Sequence, residues 1–388
     1  MDTGLQQVDG ASETNDAGTP RAALQGICWQ HERCLAAVGA ASAEWRRRTG
    51  EEIRWDARPL TAFNDQPLGE LVGDYDLLIV DHPFTGTAAA TGALAALDAL
   101  IDAGELRALA VASMGRCHES YAYGGHQWAL AVDAACQVSA AREDLLAAHG
   151  VARPASWPAT LALAAAHPGA VALPLAPADA LCSLLTLCAL RGEPVEPGRG
   201  VSVGAVEALA ALAARVDRGC FEEDAPTLLA RAAASDEVLF VPLVFGYAVY
   251  APALRFGPVP GQLGGDGLGP ILGGAGIAVS GRSARPDRAA AFAAWMAGER
   301  CQRDVIAPAG GQPAHAAAWR DPTVDARAGG FYSATASTLE RAWLRPREPW
   351  WPDFQAEAAV ALAEDLRAGR EPAAIARRLD RRLQGRRP

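Results

Sequence analysis

Apolar positions in the first eighty residues fall into three short blocks with helical spacing between them. Residues 24–29 read as a strand. Residues 34–49 place Leu35, Val38 and Trp45 at helical spacing, and Gly50 ends the pattern. Residues 52–58 alternate, as a half-buried strand does. Asp76-Leu-Leu-Ile-Val-Asp81 is a continuous apolar run between acids, the pattern of a central parallel strand, and His82-Pro83 ends it. A short helix is predicted near 67–72 and a surface helix over 94–106. Strands with helices between them predict an α/β lobe with a mostly parallel sheet. Ligands of such sheets bind outside the carboxyl ends of the strands. Those ends carry Trp29-Gln30-His31, Trp55-Asp56 and Asp81-His82.

The organising stretch is Gly124 to Leu146. Trp128 to Val132 reads as a buried strand, Asp133 interrupts it, Cys136 to Ala140 is a second apolar run, and a helical pattern starts at Arg142. A carboxylate between two apolar runs is costly to bury unless it is paired or faces a cleft. The chain is therefore expected to cross here from one lobe to another, with Asp133 facing the gap. Helices are predicted beyond it over 157–166, 179–190, 203–216 and 226–234. Strands are predicted over 170–175, 238–243 and 276–280. Pro286 starts a helix whose apolar face holds Phe292, Trp295 and Met296. Two alanine- and arginine-rich helices follow Pro352. The glycine-rich stretch 261–276 precedes a strand instead of following one, so it is not a dinucleotide fingerprint. Residues 1–22 are polar and acidic and read as a disordered leader.

Composition narrows the function. At 388 residues the chain suits two lobes better than one core. The formal net charge of −10 argues against a nucleic-acid surface. The arginine clusters at 46–48 and 377–387 read as helix C-termini opposing the dipole. No residue is lysine, which excludes a P-loop lysine, a pyridoxal Schiff base and a Ser-x-x-Lys nucleophile. Eight cysteines form no Cys-x-x-Cys pair, and Cys136, Cys182 and Cys188 lie in apolar runs as small core residues. No apolar run is long enough to span a membrane.

Aromatic side chains at strand ends and turns can stack on a solute, and these are Trp29, Trp55, Trp128, Tyr247 and Tyr250. Each has core packing as its alternative role. Asp81 and His82 offer an acceptor beside a switchable donor, or an acid and a base; His82 capping a turn is the structural alternative. Asp133 either binds solute hydroxyls or ties the crossing strand to backbone. His31 and the loop residue His315 complete the candidates. No spacing supports a metal site, and no cofactor is expected. A small organic acid held by His82 and an arginine such as Arg116 is a further option.

Four segments in order resemble the extracellular solute-binding proteins of ABC transporters, the sugar-binding type. They are Tyr75 to His82; Gln127 to Asp133 with Ala140 to Leu145; Leu272 to Ser280 with its following helix; and Gly310-Gly-Gln-Pro313. The match runs over about 24–345. The resemblance implies an α/β fold of the periplasmic binding protein-like type II kind, two α/β lobes joined by crossing hinge strands. It implies lobe 1 from 23–132 plus 276–313, and lobe 2 from 133–275 plus 314–388. A small polar solute, a sugar or similar, would be captured between the lobes by hinge closure and delivered to an ABC permease, with no chemical conversion. Two departures stand out. The family carries a secretion signal, which this sequence lacks at its start, so a periplasmic location follows from the resemblance and a cytoplasmic one stays open. The family also often has proline before the aspartate-like position in the crossing strand, where this chain has Ala131-Val132. The alternatives are a soluble two-lobed enzyme using Asp81 and His82, and a cytosolic ligand sensor.

Overall fold

Among the described residues nine strands form around the apolar runs: β1 Leu24–Trp29, β2 Ile53–Arg58, β3 Leu77–Val80, a hairpin of β4 Ala122–Tyr123 and β5 His126–Gln127, then β6 Leu130–Ala141, β7 Phe240–Phe245, β8 Arg255–Gly257 and β9 Leu272–Val279. The computed structural model describes residues 23–196, 198–261 and 268–386. The expected leader, 1–22, and part of the glycine-rich stretch lie outside the described residues. The main sheet runs β2-β1-β3-β9-β6-β7, with β8 also paired to β6. β1 is parallel to β2 and β3, whereas β9 is antiparallel to both β3 and β6. The sheet is thus mixed, not mostly parallel as the strand–helix alternation suggested, because β9 returns late in the chain to lie between two earlier strands.

β6 is one long strand, where the sequence pattern suggested two runs broken at Asp133. Leu130 to Cys136 pair with β9, and Gln137 to Ala141 pair with β7 and β8. One strand therefore serves two sets of neighbours, which is what a crossing strand must do. The polar interruption is absorbed by a bulge: Ala131 faces Gly276 and Asp133 faces Ala275, so Val132 is the extra residue. A bulge re-aims the side chain beside it, and here that side chain is Asp133. Two buried glutamines hold the distorted backbone. Gln302 donates to the Val132 carbonyl at 3.1 Å, and Gln312, from the Gly-Gly-Gln-Pro loop, donates to Ala134 O at 2.6 Å and to Gly246 O at 3.2 Å. The Gln312 side-chain oxygen accepts from the Ala248 amide at 2.9 Å, so this one residue ties the crossing strand to the end of β7.

Gly274 of β9 is where this close approach demands glycine. Its φ is +108°, and an added Cβ would lie 2.3 Å from the Asp133 carbonyl oxygen. Gly274→Ala is expected to cost about 1–3 kcal/mol for the backbone conformation alone, with the backbone clash added. Urea denaturation checks it; a midpoint within error of the parent would show that β9 can shift away from Asp133.

Helices Glu32–Thr49 and Pro286–Ala297 pack on the β1–β2 and β6–β9 parts of the sheet respectively. Pro177–Leu190 packs against Trp351–Arg367 and Val203–Ala213, and Pro372–Gln384 closes that group. Several local expectations change. Residues 170–175 form a single bridge, Val171 to Phe240, because Pro174 removes a ladder donor. Residues 94–106 hold a 3₁₀ turn, Leu97–Ala99, and the helix starts later, at Ala103–Ala112, capped by Asp102. Residues 67–72 hold only the 3₁₀ turn Leu68–Glu70. All eight cysteines are buried and unpaired. No helix among the described residues is long and apolar enough to cross a membrane.

Candidate functional site

A cleft of about 680 Å³, its solvent-open mouth included, lies where the carboxyl ends of β1 and β3 meet the bulge of β6 and the start of β9. Trp29, Arg33, Asp81 and Asp133 line it together with Phe63 and Asn64 of the short Leu60–Asp65 helix. From the other side come Asp179 and Cys182 of the Pro177–Leu190 helix, Phe245 and Tyr247 at the end of β7, and Arg345 and Gln355. Gly273, Gly274 and Ala275 of β9 form its floor with Ala135. Glycine at 273 is required by the ring of Phe245, whose nearest carbon would lie 2.5 Å from an added Cβ.

Two buried ion pairs frame the cavity. Arg33 sits in the first turn of the Glu32–Thr49 helix and is 3% exposed. Its guanidinium forks onto both oxygens of Asp133, with Nε to Oδ2 at 2.7 Å, and its third nitrogen donates to Gly246 O at 2.9 Å. The same group lies 4.7 Å from the centre of the Tyr247 ring. Such planar, two-pronged pairing is what arginine offers and lysine does not. Arg345 donates to both oxygens of Asp81, at 3.0 and 2.8 Å, and to Gln355 Oε1 at 3.0 Å. Burial pushes the Asp81 carboxyl up, but Arg345 and the neighbouring His82, whose amide donates to it, outweigh it and hold Asp81 at about 2. Asp179 differs from both. Burial, with Asp224 nearby, pushes its carboxyl up to about 7, with the Ala225 amide pulling the other way.

The sequence candidates separate accordingly. Trp29, Asp81, Asp133 and Tyr247 line one cavity. His31 and Tyr250 stand beside it without lining it. The His31 ring stacks on Trp29, with centres 5.4 Å apart, and its Nε2 lies 3.4 Å from the Tyr250 hydroxyl. Its Nδ1 accepts from the Arg33 amide, capping the helix, and burial lowers its pKa to about 4. The remaining candidates are elsewhere. His82 is fully buried, and neither ring nitrogen has a hydrogen-bond partner among the described residues; Nδ1 is 3.2 Å from Asp81 Oδ1 but badly aligned. Burial first, then Arg345, lowers its pKa to about 4. It is a neutral core ring against Tyr121, so Asp81 and His82 cannot act together on a solute. Trp55 lies across Gly26 and bonds Ser42 at 2.8 Å. Trp128 bonds the Tyr123 carbonyl at 3.0 Å, bracing the β4–β5 hairpin. His315 caps the Ala316–Trp319 helix and lines a separate small recess with Ser113 and His118. Arg116 pairs with Glu119 outside the cavity. Among the described residues no three His, Cys, Asp or Glu side chains stand close enough to share a metal ion.

Arg33, Arg345, Asp179, Phe63, Asn64 and Gln355 were not anticipated. Asp179 did carry a signal: it is the one charged residue of the Pro177–Leu190 segment, whose other positions are almost all apolar.

A cavity between two halves, walled by both and floored by the strands that join them, defines a protein that encloses a small molecule. Residues 66–329 match the model of the bacterial extracellular solute-binding protein family, and the chain belongs to that family. No curated protein sequence matches it. Its fold is similar to that of an ABC transporter solute-binding protein from Agrobacterium radiobacter K84 in complex with ribitol, at TM-score 0.78 and 20% identity, covering 94% of this chain and 98% of that one. It is also similar to maltose-bound T. maritima MalE3, at TM-score 0.77 and 16% identity over 93% and 99%. The GacH receptor of Streptomyces glaucescens GLA.O, described unliganded and in complex with acarbose, gives TM-score 0.77 and 17% identity over 94% and 99%. The fold is thus that of ABC sugar-binding proteins: two α/β lobes joined by crossing strands.

Proposed function

We propose that this solute-binding protein captures a small hydroxylated molecule, a sugar or polyol, in the cavity between its lobes and delivers it unchanged to an ABC permease outside the cytoplasm. The observation that carries the reading is the wall itself. Aromatic rings (Trp29, Phe63, Tyr247) stand beside carboxylates and side-chain amides (Asp81, Asp133, Asn64, Gln355), an arrangement suited to the apolar faces and hydroxyls of one solute. The solutes of the similar structures, ribitol, maltose and acarbose, support it.

The lobes are 23–132 with 276–313, and 133–275 with 314–388. On this division β6 is the hinge, and closure follows because a solute touching both walls favours the closed state. No observation favours acid–base chemistry, since His82 does not reach the cavity.

A thermal-shift screen over sugars and polyols tests the reading. Binding at a hundred times Kd stabilises by about 2.7 kcal/mol. Asn64→Ala removes a half-buried amide from the wall, so affinity is expected to fall roughly tenfold while the melting temperature of the empty protein moves little. Calorimetric titration of parent and variant with the best screen hit decides; unchanged affinity would remove the Leu60–Asp65 helix from the site.

A further inference from the structure

Among the described residues two arginines reach the cavity, and a carboxylate already neutralises each: Asp133 for Arg33, Asp81 for Arg345. Asp179 is the third carboxylate on the wall. It is 9% exposed, and no side chain among the described residues donates a hydrogen bond to it. What surrounds it does not balance it. The Ala225 amide and the first turn of its own helix offer only partial charges, and the carboxyl neighbour that acts on it, Asp224, has the same sign. Tyr247 and Cys182, which face the same corner, are kept neutral by burial. Arg58 does not supply the missing cation. It lies 5.6 Å from the Phe63 ring centre, but it donates to the Ala62 and Ile79 carbonyls and to Gln66 and does not line the cavity. When Asp179 ionises, the cleft therefore holds one negative charge more than the wall, among the described residues, can answer. Trp29, Phe63 and Tyr247 line the same space, and aromatic faces attract cations.

We propose that the solute this cleft selects carries a protonated amine on a hydroxylated body, as an amino sugar or amino polyol does, with the ammonium beside Asp179. The proposal rests on the reading of this cavity as the solute site. It assigns the hydroxyls to Asn64, Gln355 and the remaining lone pairs of Asp81 and Asp133, and the apolar face to the rings. A neutral sugar could hydrogen-bond Asp179 but would leave its charge enclosed; a carboxylate solute would add a second. An ammonium supplies charge and donors together, and a charge-assisted hydrogen bond is about twice as strong as a neutral one.

Matched probes test it by calorimetric titration near neutral pH: sorbitol, 1-amino-1-deoxysorbitol and its N-acetyl derivative, with glucose and glucosamine as a cyclic pair. The amines are expected to bind roughly ten- to a hundredfold tighter than their neutral twins. In Asp179→Asn that preference should collapse while neutral-twin affinity changes less, with circular dichroism verifying the fold. Neutral twins binding as well as the amines would overturn the proposal and leave the parent reading standing. An amine preference that survives in Asp179→Asn would overturn the assignment to Asp179. Silence from both series would overturn the proposal and the parent reading together.

Discussion

Asp179→Asn is expected to raise the melting temperature of the empty protein by roughly 5 °C near pH 8, and to leave it nearly unchanged near pH 4. Burial lifts the folded-state pKa of Asp179 from 3.8 to about 7. Below the unfolded value the carboxyl is protonated in both states and contributes nothing. As pH rises from 3.8 towards 7, the unfolded chain releases the proton while the folded one retains it, so the folded state loses ground. Above about 7 the penalty is complete, at about 4 kcal/mol. An asparagine carries no charge at any of these pH values and can still accept from the Ala225 amide. His31 and His82, both held neutral by burial, titrate in parent and variant alike and drop out of the difference. Melting curves at a series of pH values measure that difference directly. A variant less stable than the parent at pH 8, or a difference that does not grow with pH, would mean that Asp179 is not enclosed without a counter-charge. The same substitution is expected to weaken capture of the solute. A wall that is more stable without its carboxylate retains it at a cost to folding, a trade common at binding sites.

Much of this architecture is legible in the sequence because burial dictates residue type. Leu77–Val80 has apolar neighbours on both faces and reads as a continuous apolar run. The crossing of β6 is legible because Asp133 breaks a run that nothing else would break. Periodicity fails where one residue is added or removed. The bulge at Val132 has no compositional mark, since its supports, Gln302 and Gln312, lie far along the chain. Residues 170–175 have strand composition, yet Pro174 and their neighbours limit them to one bridge. The site shows the same division. Trp29 and Asp81 end strands, so topology brings them to the cavity. Trp55, Trp128, His82 and His315 have the same chemistry, but each is turned into packing or capping by a local partner that sequence order does not reveal. Arg33 and Arg345 escape notice for the opposite reason. Each is one of many arginines, and only the fold sets them against Asp133 and Asp81 across gaps of 100 and 264 residues.

Breaking the Asp81–Arg345 pair should carry a large single-residue cost. Both side chains are at most 9% exposed. Asp81→Ala leaves the guanidinium enclosed with, among the described residues, Gln355 as its remaining side-chain partner, and also removes the acceptor that caps the His82–Phe84 turn. Stranding a buried charge costs about 3–5 kcal/mol, and the lost cap adds about 1 kcal/mol. Asp81→Ala combined with Arg345→Met removes the charge together with its partner. Buried ion pairs contribute little net stability over apolar groups of similar size, so the double variant is expected to recover most of the loss and retain mainly the cap deficit. A double-mutant cycle by urea denaturation measures the coupling. Losses that simply add would show that Arg345 finds other company when Asp81 is gone. Solute titration of the double variant then separates folding from function. The pair holds a carboxylate, ionised and fixed, on the cavity wall, which two apolar side chains cannot do. Recovered stability with lost capture would identify the pair as a device for positioning Asp81; capture at parental affinity would mean that the solute never touches this wall.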